Sequence, residues 1–293
     1  MLIKTDRLVS GDFHGLAIRD FGALMDGAVS VAVIDVPANG RHPYVSSPRS
    51  DRLIVMIEGA LRFDVDGIAY VARAGDAVLV RKGLLYDYFD WQGQPARMLV
   101  VSAPASDASA EDVLPDLLRP HDVTLRGDRV TLRPMTEDDW GLVCAWNADP
   151  EVLYWADGPG TEPRTPEETR PIYQGVSLFG YVFIIEFEGE PIGECWLQKL
   201  NLPEIRDRFP GRDMRRIDIA IGRKDLWGKG LGSDAIATLV RFAFEQERAD
   251  GVYYAVSPNN PRSRRAAEKA GFQALEGDEG LIAWREASVA RQP

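Results

Sequence analysis

The chain has 293 residues, 45% hydrophobic and 27% charged, which are the proportions of a folded protein with room for two cores. Its net charge of −11, from 34 basic and 45 acidic residues, argues against binding nucleic acid through phosphates and favours a cationic or neutral small-molecule partner. No apolar run reaches the ~20 residues of a membrane span, the start MLIKTDRLVSGD lacks a signal-peptide core, and two cysteines, Cys144 and Cys195, make neither a disulfide framework nor a cysteine zinc site. The cytoplasm is the expected compartment.

Residues 1–103 read as an all-β domain. The runs VSVAVIDVP, RLIVMIEG, ALRFDVDG, IAYVARAGD, AVLVRKG and RMLVVSAP are separated by Gly or Asp at spacings of about 8–12 residues, the pattern of a sandwich or barrel. Val65-Asp66-Gly67 is read as a hairpin turn. Glycines recur at fixed distances along the same runs. Gly40 is followed by five residues, Ser46, Ser47, Pro48, three residues, Arg52, six residues and Gly59. Gly75 is followed by five residues, Arg81, Lys82, Gly83, two residues and Tyr86.

That scaffold resembles the cupin family over about residues 28–103. The resemblance implies a small double-sheet β-barrel, a jelly roll. It also places Ser46, Pro48, Arg52 and Tyr86 where the family carries metal ligands. An arginine or a proline does not coordinate a divalent cation, so no metal is expected. Arg52 and Tyr86 are expected to point into a lumen that binds a sugar or carboxylate or performs metal-free isomerisation. The favoured alternative is a non-catalytic module for stability, ligand binding or homodimer assembly. His42 reads as a surface residue near the mouth.

Residues 104–120, PASDASAEDVLPDLLRP, are small, acidic and proline-containing, and read as a linker. From 121 to 293 the texture mixes helix and strand, as in an α/β domain. TEDDWGLVCAWNA (136–148) and SDAIATLVRFAFEQER (233–248) carry helix signals; YVFIIEFEG, EPIGECWLQKL, RRIDIAIG and GVYYAVS read as strands. Between the third strand and the second helix lie Gly228, Gly230 and Gly232. A glycine loop entering a helix exposes free N–H groups at the positive end of the dipole, a site for pyrophosphate. The P-loop spacing and a dinucleotide-type acidic residue are both missing. About one helix length later follows SPNNPRSRRAAEKAGF.

Together these segments resemble the GCN5-related N-acetyltransferase (GNAT) family over about residues 123–285, and within it the aminoglycoside 6′-N-acetyltransferases. The finer likeness rests on VTLRPMTEDDW, NADPEVLYW, IDIAIG and GKGLG. The resemblance implies an acyltransferase that uses acetyl-CoA as cosubstrate, its pantetheine arm inserted into an open V between two strands. Carried over to this chain, the cofactor residues are Ile219, Ala220, Ile221, Trp227, Gly228, Lys229, Gly230, Leu231, Gly232, Ser233, Asn260 and Arg265. Trp227 departs from the family, which has a polar residue there. Asp218 matches the active-site aspartate of the aminoglycoside subfamily and is assigned as amine ligand and base. Alternation in I-D-I-A-I sets it opposite Ile217, Ile219 and Ile221; the alternative is a solvated strand carboxylate. A second acid is sought in the loop after residue 200, where Glu204 is chosen beside Asp207. Ala267 stands where many members carry a general-acid tyrosine, with Tyr254 or Ser257 as substitutes.

The acceptor is read from charge. Residues 149–204 hold eleven acidic and three basic residues, a local net of −8, and an acidic wall of that kind attracts a polycation. Tyr154, Trp155 and Asp157 are assigned to the substrate, with core filling as the alternative for the two aromatics. The expected function is acetylation of an aminoglycoside or related amino sugar, in antibiotic modification or biosynthesis. A siderophore-type or peptide amine is one alternative acceptor. A sensor that holds acyl-CoA without turnover is another alternative.

Overall fold

The computed structural model describes residues 8, 10–24, 26–106, 111–114 and 117–285, in two compact units, Met1–Asp116 and Leu117–Pro293. The division falls inside the expected linker, of which 107–110 and 115–116 lie outside the described residues. Among the described residues no helix is long and apolar enough to cross a membrane.

The first unit is all β. Its strands are β1 (Ser10–Phe13), β2 (Leu16–Leu24), β3 (Val29–Val36), β4 (Arg41–Ser46), β5 (Asp51–Glu58), β6 (Ala60–Val65), β7 (Ile68–Arg73), β8 (Ala77–Val80), β9 (Leu85–Asp90), β10 (Ala96–Ala103) and β11 (Asp112–Val113). They make two sheets, ordered β1-β2-β3-β10-β5-β8 and β11-β4-β9-β6-β7. One core lies between them, with Ile34, Ile54 and Met98 from the first sheet meeting Leu61, Phe63 and Tyr88 from the second. Each sheet keeps two edges, so the expected double-sheet arrangement takes the form of two open sheets packed face to face, with no closed barrel among the described residues. The hairpin read at 65–67 joins β6 and β7, with Val65 opposite Ile68 and both Asp66 (φ 51°) and Gly67 (φ 81°) left-handed. That is the tight turn whose twist suits paired strands.

Two expectations fail in this unit. His42 is 4% exposed, not a surface residue, and its ring stacks on Tyr88 at 4.4 Å between centroids. An irregularity in the β4–β9 register between His42 and Val45 lets both side chains point inward, which strict alternation forbids. Asp112 and Val113, taken as linker, pair with Ser46 and Val45 as an edge strand. Their polar, proline-flanked composition hides a pairing made by backbone alone.

The second unit holds β12 (Leu125–Arg126), β13 (Val130–Pro134), α1 (Trp140–Asn147), α2 (Pro150–Ala156), α3 (Pro166–Phe179), β14 (Gly180–Phe187), β15 (Glu190–Lys199), α4 (Pro203–Arg206), β16 (Met214–Ile221), α5 (Leu231–Glu245), β17 (Gly251–Tyr254), α6 (Pro261–Lys269), β18 (Gln273–Ala274) and β19 (Leu281–Trp284). Eight strands form one sheet in the order β12-β13-β14-β15-β16-β17-β19-β18, antiparallel except at β16–β17. Both faces are covered. Phe183, Ile185 and Ile217 pack with α5, whereas Val182, Ile184 and Trp196 pack with α1, α2 and α3. The nearly unbroken apolar run of β14 follows from burial on both sides.

Candidate active site

Strand β16 divides the chemistry between its faces. Ile217, Ile219 and Ile221 lie with the α5 core, while Ala220 lies with Trp196 and Trp227 in the cluster under α1–α3. Asp218 shares the face of Ala220, as alternation requires. The parallel pairing with β17 runs only from Met214 to Ile217, whereas β15 stays paired as far as Ile221. Over 218–221 no strand among the described residues covers the other edge of β16.

A cleft of about 290 Å³ opens at that free edge. Ile219, Ala220, Ile221, Trp227, Gly228, Gly230, Leu231, Gly232, Ser233, Asn260 and Arg265 all line it. Of the expected cofactor residues only Lys229 does not. Gly228 and Gly230 hold φ of 76° and 84°, a backbone that side-chain-bearing residues rarely adopt. Gly230 caps α5 without a side-chain hydrogen bond. The first-turn amides of α5 therefore have neither an intrahelical nor a capping acceptor, at the positive end of the helix. Two contacts hold the loop there. The Asp234 carboxylate accepts the N–H groups of Asp128, Arg129 and Val130, and Arg129 Nη1 donates to the Lys229 carbonyl at 2.6 Å.

Trp227 belongs in the loop for a visible reason. Its Nε1 donates to the Ile221 carbonyl at 2.7 Å, and the Arg262 guanidinium lies 5.0 Å from its ring and 4.4 Å from that of Trp155. Arg262, Ser263 and Lys269 line the cleft as well and were not read from the sequence. Trp155 thus lines this cleft, with Tyr154 exposed and packed edge-on against it at 4.9 Å. Asn260 Oδ1 accepts the Ser263 N–H and its Nδ2 donates to the Trp155 carbonyl. Ala267 is fully buried in the core, while Tyr254 Oη is hydrogen-bonded to Ser263 Oγ at 2.9 Å.

Asp218 stands about 7 Å up the strand from Ala220. Its Oδ1 accepts the Ile219 N–H at 2.9 Å and its Oδ2 lies 3.3 Å from Arg216 Nη2. Burial pushes its carboxyl up to about 6, opposed by Arg216 and reinforced by the charge of Asp157. A second buried carboxylate, Glu194, faces the same way one strand over, opposite Ala220. Burial, and then the charge of Asp218, hold it well above the usual carboxylate range, against a hydrogen bond with Tyr173. Asn147 Nδ2 donates to the Tyr173 hydroxyl, Arg164 Nη1 donates to Asn147 Oδ1, and Arg164 pairs with Asp157 at 2.8 Å. Glu194 Oε2 and Trp196 Nε1 are buried without a hydrogen-bond partner, unusual for polar atoms unless something else meets them.

Glu204 is not brought to Asp218. It is exposed on the four-residue α4, whose Ile205 packs with Met214 and Tyr253 at the far end of the strand. The acidic wall is also dispersed. Glu186 pairs with Arg133, Asp149 and Glu151 share Lys224, and Glu168 closes the capping box of α3. Charge counted along the chain does not survive these local pairings.

Residues 129–273 match the family described as an acetyltransferase (GNAT) domain. An aminoglycoside N(6′)-acetyltransferase type 1 of Klebsiella pneumoniae is 28% identical over 164 residues, covering 52% of this chain and 77% of that protein. Among solved structures, the aminoglycoside acetyltransferase AAC(6′)-Ib in complex with coenzyme A shares 25% identity, with a TM-score of 0.46, covering 53% of this chain and 95% of that one. The cupin domain of Schizosaccharomyces pombe Cnp3 shares 13% identity, with a TM-score of 0.32, covering 34% of this chain and 72% of that one.

Proposed function

Residues 129–273 are an acetyltransferase domain of the GNAT type, and from that premise we propose that the second unit transfers the acetyl group of acetyl-CoA to a primary amine of an aminoglycoside or related amino sugar. The observation that carries this is the free edge of β16 beside the uncapped start of α5. An amide-bearing pantetheine arm adds to an exposed strand edge, and a pyrophosphate is held by unsatisfied helix amides. Arg262, Arg265 and Lys269 line the same cleft and supply cationic donors to phosphate oxygens.

When bound, the cosubstrate presents an electrophilic thioester carbonyl. Asp218 binds the acceptor ammonium and accepts its proton, which leaves the amine lone pair free to attack. Glu194, neutral beside an ionised Asp218, and Trp196 Nε1 offer hydrogen bonds to acceptor hydroxyls. The Tyr254–Ser263 hydroxyl pair returns a proton to the departing thiolate in the place of the tyrosine that Ala267 replaces. The first unit is a metal-free accessory module in this scheme.

The test is thiol release from acetyl-CoA by the full chain against aminoglycosides, polyamines and amino-acid acceptors. Turnover with an aminoglycoside is expected, and Tyr254→Phe is expected to lower kcat by about tenfold or more. Turnover confined to a hydroxylysine-type or peptide amine would replace the acceptor class. Tight acetyl-CoA binding with no turnover would make the unit a sensor, the reading that Ala267 favours.

A further inference from the structure

The interior of the first unit holds a charged cluster that acetyl transfer does not use. Between the two sheets lies a cavity of about 10 Å³, room for one water molecule. Its polar lining is His42, Arg52, Tyr86, Tyr88 and Glu111. Four of these come from β4, β5 and β9. The fifth, Glu111, immediately precedes the edge strand β11, on the stretch that leads to the second unit.

The Glu111 carboxylate is fully engaged there, its side chain 2% exposed. Oε1 pairs with Arg52 Nη1 and accepts the Tyr86 hydroxyl at 2.6 Å, and Oε2 lies 3.5 Å from His42 Nε2. His42 Nδ1 donates to the Pro43 carbonyl at 2.8 Å, which aims the other ring nitrogen at the carboxylate. The backbone of the same stretch is held much less firmly. Its described ties are the two-residue β11 pairing and one bond from the Leu114 N–H to the Tyr44 carbonyl, and Asp112 and Val113 are exposed.

The cavity also offers more than Glu111 takes. Arg52 Nε and Tyr88 Oη are buried without a hydrogen-bond partner. A guanidinium grips a carboxylate in a fork through Nε with Nη2 or Nη1 with Nη2; Glu111, tethered on a short strand, meets Nη1 alone and leaves the Nε side of Arg52 open. A free carboxylate has no such tether. Ile54 and Val100 line the remainder, against which a short apolar body packs.

We propose that this cavity is a binding site for a small monocarboxylate about the size of the glutamate side chain, and that such a ligand displaces Glu111 and frees residues 111–114 from the sheet. Arg52 selects the negative charge, which a sugar or a nucleobase does not supply. Glu111 acts as a tethered competitor whose effective concentration is on the order of millimolar, so the native chain responds only to ligand at that level. The inference is independent of acetyl transfer in the second unit.

Propionate, which is the glutamate side chain cut at Cβ, is the probe. In full-length Glu111→Ala the first thermal transition is expected to rise with sodium propionate, with half-saturation on the order of millimolar or tighter. Sodium chloride and propionamide are expected not to raise it, and the double variant Arg52→Met/Glu111→Ala is expected to lose the response. A response to propionate no larger than that to chloride would overturn the site. The native chain supplies a readout that does not depend on the variant folding. Exchange of the Leu114 amide is expected to accelerate about tenfold in saturating propionate. Unchanged protection there would overturn the displacement.

Discussion

At Asp218 burial and the Asp157 charge raise the carboxyl to about 6, against Arg216. A carboxylate with that value is ionised at neutral pH yet remains a usable base. It follows that kcat/KM for the amine falls as pH is lowered through about 6, because the protonated acid neither binds an ammonium nor accepts its proton. Asp218→Asn keeps the shape and removes the charge. That variant is expected to lose about 100-fold or more in kcat/KM for the amine, to keep acetyl-CoA affinity within about twofold, and to lose the acid limb of the pH profile. Steady-state kinetics between pH 5 and 8 checks all three, and unchanged turnover removes Asp218 from the mechanism. Strand alternation made Asp218 legible. Glu194 was equally legible in principle, as a lone acid in the apolar strand I-G-E-C-W, but a tally that counted it among eleven acids concealed it. His42 and Tyr173 were hidden for a different reason, since their partners, Glu111 and Glu194, are distant in sequence.

The glycine loop and α5 act as one element. At Gly230 a Cβ would meet only Arg129 Nη1 at 4.0 Å, so space is not the limit, but φ of 84° costs a side-chain-bearing residue about 1–2 kcal/mol. An aspartate there adds a further effect. Its carboxylate sits at the N-cap, where it satisfies the free amides itself and repels a phosphate. Gly230→Asp is therefore expected to weaken acetyl-CoA binding about 100-fold while the chain stays folded, and Gly230→Ala, with the strain alone, to weaken it by a smaller factor. Calorimetric titration with acetyl-CoA separates the two, and native affinity in the aspartate variant would refute the loop as the pyrophosphate site. Elements such as this were legible because glycine spacing and helix periodicity are local. Helix α3 shows the limit. Its capping box Thr165/Glu168 was present in the sequence, but Pro171 in its interior masked the helical period. The register irregularity in β4 and the edge pairing of β11 depend on strands distant in the chain, so no local pattern announces them.

Over the whole molecule the two textures of the sequence, short β runs and then mixed elements, correspond to two cores, and in each of them burial raises a pair of carboxyls, Asp64 and Asp87 in the first and Asp218 and Glu194 in the second. In the first unit Asp64 and Asp87 lie opposite each other on β6 and β9. Burial is the largest cause that raises them, to about 6 and about 7, although Arg41 pairs with Asp87 at 2.9 Å. In the unfolded chain both have the ordinary carboxylate value of ~3.9. Between pH ~4 and the folded values the folded state keeps protons that the unfolded state has released, so stability falls as pH rises, by up to ~1.4 kcal/mol per unit for each group. Above pH 7 both states are ionised and the dependence ends. Asp35 and Glu111, lowered through Arg97, Arg19, His42 and Arg52 against burial, have the opposite sign. Their contribution is complete above the unfolded value and is lost only at lower pH. The first unit should therefore melt several degrees higher at pH 5 than at pH 7.5, the reverse of ordinary acid destabilisation. Asp87→Asn removes one titrating group at a position 1% exposed, and is expected to flatten this slope and raise the melting temperature at pH 7.5. Scanning calorimetry of the full chain and the variant from pH 4.5 to 8 tests this. A transition that the variant shifts, but whose native midpoint rises with pH across that window, would mean that Arg41 and Arg62 outweigh burial and that both carboxylates are ionised throughout.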